Sequence, residues 1–403
     1  MISRNGEHNC RSMSFSILSL VKRGSLLRDV LPFDAKRACL TYMGRNAVWQ
    51  AVRILGLKPG DEVLVPAYNC GSEIDPLLHH GLTIVPYRVS RSTQIDIKDI
   101  LSRVNRRTRA VYVTHYFGFP QRLEEIVHFC RERGLFLVED CALALFSQDN
   151  DGFVGRLGDV AVFSFRKTLP VPDGGAVVIN NPNFKIVSPL EQPTIAPVLA
   201  ALVTSLGRSA ERWSHIEFDG VKRSYRWIQS GINRLHKRKR HFTAQGKSVM
   251  VRGVGRASLG IHDHYDPGIS WLGMSAISKR ILGNVDPREV AVKRRQNFQY
   301  LLPTIEEVRG IEPLFRRLPN GVCPTAFPVL CENRSELCRK LNERWISAIE
   351  WWSGYHPSIR WDEFPEGVYL KDHLIALPVH HGLNVEDMAY IGACVREIMS
   401  EAH

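Results

Sequence analysis

The chain has 403 residues, 44% of them hydrophobic and 23% charged, the balance of a globular protein with material for one large domain and a smaller one. No apolar run approaches the roughly 20 residues of a membrane-spanning helix, and residues 15–21 are too short and too interrupted by serine for a signal peptide, so a cytoplasmic location is the expectation. Nine cysteines, none in Cys-x-x-Cys spacing, point to reduced thiols rather than to a zinc site or a disulfide framework. The net charge of +12 attracts polyanions without choosing among them. Eight Lys or Arg and no acid fall in residues 222–240. A solvated surface helix or loop is the plain reading of that stretch, and a membrane-surface or nucleotide-diphosphate contact the sharper one.

In chain order, residues 46–57 carry apolar side chains at helical spacing and end at Gly56 and the Pro59-Gly60 turn. Residues 62–66 read as a buried strand, 74–80 as a helix, 83–87 as a strand, 96–104 as a helix and 110–114 as a strand. Residues 123–133 predict a helix closed by Gly134, followed by strands at 135–140, 160–165 and 176–179. This alternation predicts an α/β domain over 41–181, preceded by an N-terminal arm (1–40), with a mostly parallel sheet covered by helices on both faces. Residues 182–266 lose the pattern; an apolar helix at 196–206 and the basic stretch mark them as an insertion, either a lid or a peripheral membrane contact through 196–240. Residues 267–403 predict a smaller α+β domain with helices at 269–282, 290–300, 335–344 and 384–399 and a strand at 327–330.

Parallel sheets bind ligands at the C-terminal ends of their strands, which directs attention to Asp140, at the end of Leu-Phe-Leu-Val-Glu-Asp, and to Lys167, after Val160-Ala-Val-Phe-Ser-Phe-Arg. A carboxylate at a strand exit serves equally as a ligand contact or as a helix cap. A lysine between Phe165 and Leu169 is unusual, because Lys is ordinarily kept wet. Together, a carboxylate that can protonate a pyridine nitrogen and an amine that can form an imine are the kit of pyridoxal 5′-phosphate (PLP) chemistry. Gly44-Arg45-Asn46 before a helix offers backbone N–H groups to a phosphate, and Ser164 a hydroxyl. No metal site is expected. His380-His381 lie on opposite faces of an extended segment, and Trp345, Trp351 and Trp352 read as core or sugar-facing packing.

With those residues in place, the stretch 44–178 resembles the DegT/StrS family of PLP-dependent sugar aminotransferases. The resemblance is carried by Leu57-Lys-Pro-Gly-Asp-Glu-Val-Leu-Val-Pro66, Arg107-Thr-Arg-Ala-Val-Tyr-Val-Thr-His115, Phe136-Leu-Val-Glu-Asp140, Gly158-Asp-Val-Ala-Val-Phe-Ser-Phe165 and Asp173-Gly-Gly-Ala-Val-Val178, with a family-like ending at Leu377-Pro-Val-His-His-Gly-Leu-Asn-Val-Glu-Asp387. The resemblance implies a fold-type I PLP-transferase, a homodimer, and transfer of an amino group from an amino acid, usually glutamate, to a keto sugar on a nucleotide diphosphate in polysaccharide or glycoconjugate biosynthesis. It further implies that Lys167 is the Schiff-base lysine, Asp140 the pyridine-nitrogen partner, Ser164 and the Gly44-Arg45-Asn46 turn phosphate ligands, and His115 and Tyr116 neighbours of the cofactor. Cys70 falls where the family places a ring-stacking aromatic, with Tyr68 two residues earlier. Leu143 replaces its glutamine, and Ser164-x-x-Lys167 is two residues shorter than its usual spacing. Ser270-Trp-Leu-Gly-Met274 stands where its interface motif would. Three alternatives follow from these departures and from the charge: a catalytically degenerate regulatory or scaffolding protein, sugar dehydration on the same scaffold (against which Lys167 counts), and a nucleic-acid or membrane-surface binder. No nucleic-acid partner is expected under the first reading.

Overall fold

The computed structural model describes residues 30–196, 198–199, 201–202 and 265–401. The basic stretch 222–240 and most of 182–266 lie outside the described residues, as does the arm before residue 30. The chain enters at β1 (Ala38–Thr41) and α1 (Gly44–Ile54), then alternates β2 (Glu62–Pro66), α2 (Ile74–His79), β3 (Thr83–Tyr87), α3 (Ile97–Arg103), β4 (Thr108–Thr114), α4 (Glu124–Arg133) and β5 (Phe136–Asp140). A small hairpin, β6 (Gln148–Asp149) and β7 (Gly152–Phe153), precedes β8 (Val160–Ser164) and β9 (Gly175–Ile179).

Seven strands form one sheet in the order β1-β9-β8-β5-β4-β2-β3. The five from β8 to β3 are parallel, and β9 runs antiparallel between β8 and β1 at one end. Every residue of β2 and β8 is buried. Strands covered on both faces are mostly apolar, which is why 63–66 and 160–163 read as unbroken apolar runs. The helix ends follow local chemistry: Asp96 caps α3 by accepting from Asp99 N–H, and Gly134 closes α4 at φ +63°.

Beyond residue 265 come α5 (Ala276–Leu282), α6 (Pro287–Glu306), β10 (Ile311–Pro313), β11 (Phe327–Cys331), α7 (Arg334–Glu343), β12 (Ile349–Glu350), α8 (Pro365–His373), β13 (Leu374–Leu377) and α9 (Val385–Ser400). A second sheet, ordered β10-β11-β13-β12, is antiparallel throughout. The helix expected at 269–282 is confined to Ala276–Leu282. The preceding residues are drawn out beside β1 by Tyr42 N–H to Leu272 O and Met274 N–H to Leu40 O, and the Ser275 side chain caps the helix that remains. The helix expected at 290–300 runs the full Pro287–Glu306, started by the Asp286 cap and Pro287.

One hydrophobic core joins the two sheets. It takes Leu64, Val111 and Leu137 from the large sheet, Phe298 and Leu301 from α6, Leu341 from α7 and Ile391 from α9. The rings of Phe119 and Phe315 stack across it at 3.7 Å between centroids.

Candidate active site

The parallel strands end on one side of the sheet, and a cavity of about 270 Å³ opens there. Cys70, Ser72 and Glu73 after β2, Tyr112 on β4, Asp140 at the end of β5, Ser164, Arg166 and Lys167 around the end of β8, and Gly44 and Arg45 at the start of α1 all line it.

Asp140 is 5% exposed. Its Oδ2 accepts from the Tyr112 hydroxyl at 3.0 Å and its Oδ1 from Ala142 N–H at 2.9 Å. Burial raises its carboxyl above the ordinary range, while the charge of Lys167 and these two hydrogen bonds pull the other way. Tyr112 is itself buried, which pushes its phenol well above its usual value and keeps it a hydrogen-bond donor.

Lys167 closes a 3-10 turn (Phe165–Lys167) directly after β8. Phe165 is fully buried and anchors that turn, and Thr168 and Leu169 N–H groups return to Phe165 O. The turn is held from the C-terminal part of the chain by Arg294, whose Nη2 donates to Thr168 O at 2.8 Å. The Lys167 amine stands 5.6 Å from the Trp352 ring centroid, and its charge is felt by both Asp140 and Cys70.

The start of α1 approaches β8 closely. A Cβ on Gly44 would lie 3.0 Å from Ser164 Cβ and 3.3 Å from its Oγ, and one on Gly175 would lie 2.7 Å from the main chain of Met43 and Gly44. No side chain caps α1 at Met43, so its first turn is presented to the cavity by backbone alone. Uncapped helix N–H groups beside a serine hydroxyl form the kind of cradle that accepts a phosphate.

Cys70 lies on the wall after β2. Its thiol donates to Glu73 Oε2 at 2.7 Å and its N–H to Oε1 at 3.1 Å. Burial, then the Glu73 charge, push the thiol up to about 12. An aromatic ring face is therefore not what this position offers; it presents a protonated sulfur.

Three of the expected site residues stand elsewhere. Asn46 is fully buried, and its amide donates to Ile269 O, so it braces the 267–269 turn; it is not among the residues that line the cavity. His115 is 1% exposed and is likewise not among them. Its Nδ1 accepts from Gln121 N–H, and its Nε2 donates to Glu139 Oε2, both at 3.0 Å. Cys141 lies close to this pair, but Glu139 Oε1 already accepts from Leu157 and Gly158 N–H groups, so the group is a hydrogen-bonded brace under the β5 exit. Tyr116 is buried with its hydroxyl on Tyr68 O. Ser270 is buried, and its carbonyl accepts from Gln50 Nε2 at 3.1 Å, whereas Trp271 is exposed under the Arg53 guanidinium.

Ser72, Glu73, Tyr112 and Arg166 are the polar lining residues that sequence reasoning missed at this site. The signal for Tyr112 was available in part, since it lies two residues before the end of β4 beside β5.

Residues 33–188 match the model of the DegT/DnrJ/EryC1/StrS aminotransferase family. Among curated proteins, GDP-perosamine synthase from Vibrio cholerae is 34% identical over 149 residues, 36% of this chain and 41% of that protein. A dTDP-4-dehydro-2,3,6-trideoxy-D-glucose 4-aminotransferase from Saccharopolyspora spinosa is 32% identical over 155 residues, 38% of this chain and 40% of that protein. The chain thus spans about two fifths of the length of these relatives. Across nearly the whole chain the fold is shared with PseC of Helicobacter pylori, an aminotransferase of pseudoaminic acid biosynthesis (TM-score 0.65, 16% identity, 98% of this chain and 99% of that one).

Proposed function

We propose that the chain, whose residues 33–188 match the model of the DegT/DnrJ/EryC1/StrS aminotransferase family, is a PLP-dependent aminotransferase acting on a keto sugar, nucleotide-linked as in the named relatives. The observation that carries this reading is the meeting of a buried carboxylate, Asp140, and a reachable amine, Lys167, in one cavity at the strand exits beside an uncapped helix start.

The residues present suit the group. The Asp140 carboxylate accepts only from Tyr112 and Ala142 among the hydrogen bonds described, and a buried carboxylate of this kind gains most from a cationic N–H partner such as a protonated pyridine. The absence of a side chain at Gly44, where a Cβ would lie 3.0 Å from Ser164 Cβ, leaves a backbone-lined corner beside Ser164 for a phosphate. When bound, PLP supplies an electron sink and a carbonyl able to carry an amino group.

The chain's own residues do the rest. Lys167 would hold the cofactor through Nζ and, as a free amine, would be the group to carry a proton to and from the substrate carbon. The Tyr112 hydrogen bond orients Asp140 and favours its ionised form against the effect of burial, the form that would keep a proton on a pyridine nitrogen. Arg45 and Arg166 add positive charge to the same wall for phosphate groups. The Trp352 side keeps water from the back of the amine, since that residue is 4% exposed. Glutamate as donor and a role in polysaccharide biosynthesis are part of the same proposal, as are a homodimeric state and a cytoplasmic location. Among the described residues no helix is long and apolar enough to cross a membrane.

The test is the visible spectrum of the purified protein with PLP, followed by borohydride and peptide mapping, for the parent and Lys167→Ala. A PLP band fixed as a pyridoxyl label on the Lys167 peptide, lost in the variant and bleached by an amino donor, supports the reading. No band in either protein refutes it and moves the weight to a scaffolding role. A label on another lysine keeps the chemistry and overturns the residue.

A further inference from the structure

Lys371 lies on α8 with no exposure at all. A lysine taken out of water needs all three N–H groups satisfied. Its Nζ finds main-chain oxygens: Asn69 O and Trp352 O, each at 2.9 Å, and Gly354 O. Its charge also stands against aromatic faces, 4.6 Å from the Trp361 ring centroid and 5.7 Å from that of Tyr355.

Two of those three carbonyls belong to residues beside the active site, although neither residue lines the cavity itself. Asn69 immediately precedes Cys70. The Trp352 ring packs on Tyr68 at 5.3 Å and Tyr116 at 5.8 Å between centroids, and it stands 5.6 Å from the Lys167 amine. Trp352 adopts φ +51°, a region that bulky side chains rarely enter unless the surroundings impose it. The bond from Lys371 to the Trp352 carbonyl is such a constraint.

We infer that Lys371 is a positioning residue that locks the 352–354 turn against the 68–70 turn and thereby sets the Trp352 ring behind the Lys167 amine. This rests on the reading of Lys167 as the cofactor lysine. Only the ammonium form donates three hydrogen bonds; a neutral amine donates two. Burial draws Lys371 down to about 8, Arg334 acts in the same direction, and Cys70, Glu73 and Asp372 oppose it. The lock therefore loosens as the pH rises through that value.

The experiment compares the parent, Lys371→Met and Trp352→Phe. The emission of Trp352 itself is the parent spectrum minus that of Trp352→Phe, and it requires no cofactor. Labelling of Lys167 is followed by borohydride fixation at limiting PLP and peptide mass. The expected result is a Lys371→Met protein that melts cooperatively, shows a red-shifted Trp352 component against the parent, and labels Lys167 at least tenfold more slowly. A folded Lys371→Met with parental emission and labelling overturns the inference. A red shift with parental labelling also overturns it, because Lys371 is then a brace of the turn only. If Lys371→Met does not fold, titration of the parent decides. The Trp352 component must change between pH 7 and 9 at constant far-ultraviolet signal, and a flat titration overturns the lock. A parent that takes no label at Lys167 removes the cofactor reading instead, and the Trp352 emission still reports on the lock.

Discussion

The hydroxyl of Tyr112 donates to Asp140 Oδ2 at 3.0 Å from the neighbouring strand, so the buried acid of the cavity is held by a phenol that is itself enclosed. A hydrogen bond to an ionised group contributes roughly 1.5–3 kcal/mol. Removing it in Tyr112→Phe makes Asp140 easier to protonate and a poorer partner for a pyridine N–H. PLP affinity, read by titration of the visible band, should fall about tenfold or more by the same magnitude, with the Lys167 peptide still the one labelled.

Asp140→Asn separates binding from stability. Burial raises the Asp140 carboxyl above its ordinary range. A group raised in this way contributes stability that is full below its unfolded value and is lost as the pH climbs through the folded one. At neutral pH the ionised form is therefore a net cost to the cofactor-free protein. The asparagine removes that cost, and its amide oxygen can still accept from Ala142 N–H. The cofactor-free variant should melt at or above the parent at pH 7, lose that advantage near pH 4, and retain no PLP through gel filtration.

Gly44 meets Ser164 with no room for a side chain. An alanine there gains up to about 1 kcal/mol of helix preference, but a Cβ 3.0 Å from Ser164 Cβ forces a shift of the kind that costs about 1–3 kcal/mol. Gly44→Ala should lower the denaturant midpoint and weaken PLP binding together. Adding Ser164→Gly, which removes the atom in the way, should restore the midpoint but not the binding.

The Cys70 thiol is pushed up to about 12, by burial first and by Glu73 next. At pH 7.5 it should resist iodoacetamide while remaining at the cavity wall. Glu73→Gln removes the negative charge and the acceptor that favours the thiol, so alkylation of Cys70, followed by peptide mass, should speed up several-fold. An unchanged rate would mean that Glu73 does not control this sulfur.

The sequence-derived order of strands and helices from 46 to 179 matches the structure because each element there is marked locally: buried strands as apolar runs, helix ends by Asp96 and Gly134. The rule that ligands sit at strand exits needs only the strand ends, and Asp140, Ser164 and Lys167 can be found from them. Gly44, Arg45 and Cys70 reach the same cavity from further away. What local signals do not carry is adjacency across the fold. His115 looked like a cofactor neighbour until Glu139 and Gln121 occupied both its ring nitrogens. Asn46 looked like a phosphate ligand until Ile269, 223 residues away, took its amide. Trp352 and Lys371 come to the site through the C-terminal sheet, which nothing in the 44–178 pattern encodes.

The shared core has a consequence for how the chain is made. Leu64, Val111 and Leu137 are synthesised well before the residues that cover them, from Phe298 to Ile391. Until those are made, one face of the large sheet lacks its cover, and a nascent chain in that condition is open to association with others like it. The stretch 33–188 that carries the family pattern does not contain the other half of its own core. Expressed alone it should collect in the insoluble fraction, and nascent chains should depend on chaperones until the covering residues are available to fold.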